Sequence, residues 1–128
     1  MVNPNPVRFP ILFDTGYREL SRLLLLLPSR SYLEVDTNEV QVRMGWGFRA
    51  RFPKSAVASV SEYGGPRPLS RGVHGLLGRW LVNGSGQNLV VIDLEPRQRA
   101  HVMGFPVRLR QLSVSVEDPS AVVAALSR

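Results

Sequence analysis

The chain has no cysteine and a single lysine, Lys54. The first absence excludes disulfides, thiolate metal sites and cysteine nucleophiles, and leaves the compartment open. The second means that the other fifteen of its sixteen basic side chains are arginines. A GC-rich genome is one sufficient cause; selection for planar, bidentate contacts to carboxylate or phosphate is another. Histidine is scarce too. His74 and His101 are the only two, and neither has a cluster of His, Asp or Glu at ligand spacing around it, so no metal and no cofactor are expected. Long apolar runs are missing as well. The leucine run "LLLLL" at 23–27 would rise only about 7–8 Å as a helix, against roughly 30 Å of hydrocarbon. Glu19, Arg18 and Arg22 precede it, so no transmembrane segment is expected. A secretory leader is not expected either, because 1–13 holds three prolines, Arg8 as its one basic side chain and no apolar core.

What is present fits one compact domain. The chain has 128 residues, 44% of them hydrophobic, and a formal charge of +6. That charge attracts acidic proteins, anionic lipid and nucleic acid without specificity. The stretch "DTGYRELSRLLLLLP" reads as a helix with Asp14 as N-cap and Pro28 as its stop. Tyr17, Leu20, Leu24 and Leu27 share one face, while Leu25 and Leu26 point away from it. A helix apolar all round is normally covered on both sides.

After Pro28 the period changes to two. "SYLEVD" and "VQVRM" put Leu33, Val35, Val40, Val42 and Met44 on one face. A tight turn at Thr37 and Asn38 would pair Val35 with Val40 and Leu33 with Val42. "WGFRARF" places Trp46, Phe48, Ala50 and Phe52 inward. With a turn at 45–47, Arg43 faces Arg49 and Gln41 faces Arg51. "AVASVSEY" is a fourth strand. The stretch 64–78, with five glycines and two prolines, reads as one long loop. "RWLVN" and "NLVVIDL" read as a hairpin, "EPRQRAHVMGFP" as irregular, and "VRLRQLSVSV" as a last strand with a bulge near Arg110 and Gln111. Asp118 followed by Pro119 starts a C-terminal helix with Val122, Val123 and Leu126 as its stripe.

Three of these segments, "LEVDTNEVQVRMGWGFRARFPKSAVASV", "GRWLVNGSGQNLVVIDL" and "LSVSVEDPSAVVAAL", together resemble a bacterial pleckstrin-homology-like domain of the uncharacterised actinobacterial type. The resemblance spans about 31–126. It implies a mainly β fold with helices: a seven-stranded antiparallel, partly open barrel closed by a C-terminal helix; the N-terminal helix read from the residues lies outside that pattern. It also implies binding rather than catalysis. The domain reading is an N-terminal arm and leucine-rich helix over 1–30, and the barrel with its helix over 31–128. Lipid-binding members of that family carry basic residues around the first hairpin loop, whereas here Asp36 and Glu39 flank it.

The candidate partner-binding residues follow from composition. Leu25 and Leu26 are surplus apolar surface, which points to a protein partner or to self-association. Arg67, Arg71, His74 and Arg79 sit among glycines whose amides can face an anion. Arg43, Arg49 and Arg51 form a basic face whose like charges oppose one another; Glu34 and the Tyr32 ring are the internal groups that would neutralise it. No catalytic residue is assigned. A serine, a histidine and Asp93 can be assembled into a triad only on paper. Nucleic acid is the weaker partner class, because carboxylates spread along the chain dilute any basic stripe. The expectation is a non-catalytic, cytoplasmic interaction module acting through protein contact or oligomerisation. Peripheral attachment to an anionic membrane through the leucine helix and arginines is the alternative, and a small hydrolase-like or ligand-carrying activity is the remaining one.

Overall fold

The structure is a computed structural model that describes residues 6–14, 16, 31–66 and 72–127, with the backbone alone for His74 and Leu76. The leucine helix, with Leu25 and Leu26, and the loop residues Arg67 and Arg71 lie outside the described residues.

The architecture is mainly β: one curled, open half-barrel sheet and a C-terminal helix. Its strands are β1 (Val7–Pro10), β2 (Ser31–Val35), β3 (Glu39–Met44), β4 (Phe48–Pro53), β5 (Val57–Glu62), β6 (Gly72–Leu76), β7 (Arg79–Asn83), β8 (Leu89–Val102) and β9 (Phe105–Ser115). The helix is α1 (Pro119–Leu126). The sheet runs β1-β2-β3-β4-β8-β9-β7-β6, with β5 pairing the first half of β8.

The alternating apolar positions of β2, β3 and β4 decide the inner face. Val35 pairs with Val40 and Leu33 with Val42, so both apolar sets face the core. Leu33, Val40, Val42, Met44, Phe48 and Phe52 are almost completely buried there. Opposite them Ile92, Leu109, Leu112 and Val114 come from β8 and β9, and Val122 and Leu126 from α1. Asp118 caps α1 by accepting the Ala121 N–H at 3.2 Å, and the helix packs on β5 and β8.

Several elements differ from the sequence reading. There are nine strands among the described residues, not seven, and β7 runs parallel to β9. The expected hairpin of β7 with β8 is absent: β9 lies between them. Stepping over one strand needs about 10 Å, which the segment 84–88 spans easily. Within the expected loop 64–78, the stretch Gly72–Leu76 is strand β6, paired to β7. The stretch read as irregular around 95–106 belongs to β8 and β9, joined by a two-residue turn and paired regularly from Gln98 onward; the irregularity lies between Asp93 and Gln98. Both misread hairpins turn on a bulky residue followed by glycine. Leu77 and Gly78 have φ of 56° and 84°, and Met103 and Gly104 have 49° and 86°. Two successive left-handed residues make the turn that matches strand twist, but asparagine or aspartate is its usual first residue. Trp46 is not inward; it sits in the 45–47 turn, 54% exposed. Trp80 lies across Gly75 on the neighbouring strand, where any Cβ would strike its ring.

The bulge expected in β9 is present. The N–H groups of Arg110 and Gln111 both donate to the Gly78 carbonyl, at 2.8 and 3.2 Å, so both Leu109 and Leu112 reach the core. Further along β9, the chain after β1 is stitched to its end. The Leu12 N–H donates to the Ser115 carbonyl at 2.9 Å. The Ser115 hydroxyl donates to the Leu12 carbonyl at 2.8 Å and accepts the Gly84 N–H at 3.0 Å. Gly84 must be glycine here, since a Cβ would stand 2.5 Å from the Phe13 ring.

Candidate functional site

Residues directly opposite one another in an antiparallel pair project from the same face. On the outer face, β3 and β4 oppose Arg43 to Arg49 and Gln41 to Arg51, as the sequence reading expects. The next pairing lies beyond that reading. β4 pairs with the second half of β8, so Arg49 stands opposite His101. One strand further, Arg99 stands opposite Arg108 of β9. The three arginines of one hairpin thus join Arg99, His101 and Arg108 of another.

The surface between them is concave. Gln41, Arg49, Arg51, Arg99 and His101 line a groove of about 420 Å³. Arg43, Gly45, Trp46, Arg49, His101 and Gly104 line an adjoining groove of about 200 Å³. Arg49 and His101 belong to both, so the two form one channel along the sheet.

The charges in this channel are poorly neutralised. Arg51 reaches Glu39 at 3.5 Å and the Gln41 side chain at 3.5 Å. Arg43 donates to the Gly45 carbonyl at 3.1 Å. Arg49, Arg99 and Arg108 have no carboxylate partner among the described residues. The groups expected to quiet this face are engaged elsewhere. Arg8 of β1 pairs with Glu34 at 3.3 Å, and its guanidinium lies 3.9 Å over the Tyr32 ring. The added strand β1 therefore takes up both internal partners.

No known family, curated protein or solved structure matches this chain. The site must be read from its own geometry.

The other candidates named from the sequence fall apart from this channel. Arg79 opens β7 on the far side of β9, opposite Leu76 and Gln111. Its charge helps hold the Asp93 carboxyl below its ordinary range, after the larger effects of the Ser59 hydroxyl and the Gln111 amide. His74 is a β6 residue opposite Leu81. Asp93 accepts Ser59 Oγ at 2.6 Å and Gln111 Nε2 at 2.9 Å, and among the described side chains no histidine bonds to it. The first hairpin loop is self-contained. Asp36 Oδ1 accepts the N–H groups of Asn38 and Glu39, each at 2.8 Å, and these bonds lower its pKa. No group of three metal-ligating side chains occurs among the described residues, and none of their helices is long and apolar enough to cross a membrane.

Arg99 and His101 have a signal in the sequence. Arg97, Arg99 and His101 alternate with Gln98, Ala100 and Val102, which is the period of a half-buried strand. The flanking Pro96 and Gly104 mask it.

Proposed function

We propose that this chain is a non-catalytic binding module that receives an acidic partner in the outer-face channel. The observation that carries the reading is the convergence of Arg43, Arg49, Arg51, Arg99 and His101 on one concave surface whose single ion pair is Arg51 with Glu39, among the described residues. Guanidinium groups offer planar, bidentate donors to carboxylate and phosphate alike. Like charges held together without partners destabilise the free protein, and an anion relieves them. The pleckstrin-homology-like reading belongs to this proposal at its coarse level. One curled sheet and a C-terminal helix support it; the parallel β7 and β9 pair does not.

The test is a tryptophan-fluorescence titration of the full chain with inorganic polyphosphate. Saturable binding that weakens with salt is expected, since released counterions drive such contacts. An Arg49→Gln, Arg99→Gln double variant should bind about a hundredfold or more weakly, at about 1.5–3 kcal/mol per charged hydrogen bond lost. Equal binding by the double variant would remove the channel from the function.

Self-association through Leu25 and Leu26 is a separate proposal resting on sequence alone. Light-scattering mass of the full chain beside its Leu25→Glu, Leu26→Glu variant decides it, because residues 7–13 belong to the sheet and cannot be deleted.

A further inference from the structure

The end of the channel is apolar. The turn at 45–47 and the turn at 103–104 lie side by side, the Met103 N–H donating to the Gly47 carbonyl at 3.0 Å. They carry Trp46 at 54%, Met103 at 55% and Phe105 at 73% exposure, half of the six large exposed hydrophobic residues described. Single exposed apolar side chains are ordinary; here three are gathered at one end of the sheet on two bonded turns, Trp46 lining the channel and Phe105, paired with Val102, projecting from the other face of the same tip.

The basic groups stand at a defined height behind this tip. Arg43 and Arg49 are each three residues from Trp46, about 10 Å along the strands at 3.3 Å per residue. His101 pairs with Arg49 and shares its height. Arg51 and Arg99 lie about 7 Å further back. No Asp or Glu occurs over 40–53 or 96–116, the two stretches that build this end. The carboxylates of the first hairpin loop, Asp36 and Glu39, belong to the opposite end of β3.

We propose that this tip docks on an anionic lipid surface, with Trp46, Met103 and Phe105 entering the interface and Arg43, Arg49 and His101 at the level of the lipid phosphates. Interfacial groups sink about 5–10 Å past the headgroups, which matches the height of the first basic row. Arg51 and Arg99 then face the negative surface within about one Debye length. A purely anionic partner such as polyphosphate would satisfy the arginines alone. A lipid interface meets the apolar and the anionic demand in the order in which the residues are stacked, and tryptophan favours that boundary. The inference rests on the channel being the binding site.

The experiment uses the full chain with vesicles of phosphatidylcholine containing phosphatidylglycerol, and with pure phosphatidylcholine, read by co-sedimentation. Quenching of tryptophan emission by lipids brominated in their acyl chains reports insertion. Binding to the anionic vesicles alone is expected, with quenching that disappears in Trp46→Phe. A Trp46→Ser, Phe105→Ser variant, its fold checked by circular dichroism, should partition about tenfold or more weakly from lost apolar burial. Unchanged partitioning of that variant overturns the inference, and Leu25→Glu with Leu26→Glu then shows whether the leucine run carries the attachment. If vesicles are ignored while polyphosphate or a single-stranded oligonucleotide binds, the lipid surface is wrong and the channel stands. If none of them binds, both readings fall.

Discussion

Arg49 stands directly opposite His101 across the β4 and β8 ladder. Nothing local brings them together. The pairing merges two arginine-bearing hairpins into one outer face, with Arg43 on one side of Arg49 and Arg99 beyond it. The inner sides of the same strands carry Phe48, Ala50 and Ala100, all buried. The core fixes the pairing, and the basic channel is its outer consequence.

Arg49 also faces Arg43. Like charges directly opposite one another weaken a sheet by a few tenths of a kcal/mol, roughly 0.2–1 at most. Arg49→Gln is therefore expected to raise the thermal midpoint slightly at low salt, by an amount that shrinks as salt screens the pair. The same variant weakens polyanion binding. Melting curves at two ionic strengths check the first half; a midpoint that falls equally at both would show that Arg49 is structural.

Ser115 is fully buried and bonds both Leu12 and Gly84. Removing its hydroxyl strands a part-buried carbonyl and a buried amide at once. Ser115→Ala should cost about 1–3 kcal/mol, read as a lower urea midpoint with an unchanged slope. A change under about 0.5 kcal/mol would mean that the closure of β1 onto β9 does not need this hydroxyl.

The Asp93 carboxyl is held below its ordinary value of 3.8, first by the Ser59 hydroxyl and then by the Gln111 amide. A lowered native pKa stabilises the fold above the unfolded value and loses that contribution as pH falls through the native one. Asp93→Asn should therefore lower the melting midpoint at neutral pH and converge with the parent chain only once pH has fallen through the lowered native pKa. The group is part-buried and still reached by solvent, so the difference is expected to be small. A difference constant from neutral to acid pH would assign the effect to packing.

Much of the sheet is legible in the sequence because its pattern is strong. The alternation in "SYLEV", "VQVRM" and "FRARF" sets the faces, and so the registers of β2, β3 and β4. The Asp118 and Pro119 start of α1 is equally plain. The failures share a cause. Leu77 with Gly78 and Met103 with Gly104 turn the chain without the residues that usually mark such turns, so β6 and half of β8 read as irregular. Trp46 reads as core because it continues the alternation of Phe48 and Phe52, although the strand has already ended.

The sequence by itself determined the mainly β class, the inner and outer faces of β2 to β4, and the facing of Arg43 and Arg49. Those are local properties, set by side-chain alternation and a short turn. Only the tertiary structure decided that β8 lies against β4, that β9 separates β7 from β8, and that Arg8 occupies Glu34 and Tyr32. Pairings between distant strands are selected by how the whole set of inner faces packs into one core, and no single stretch of the chain carries that information.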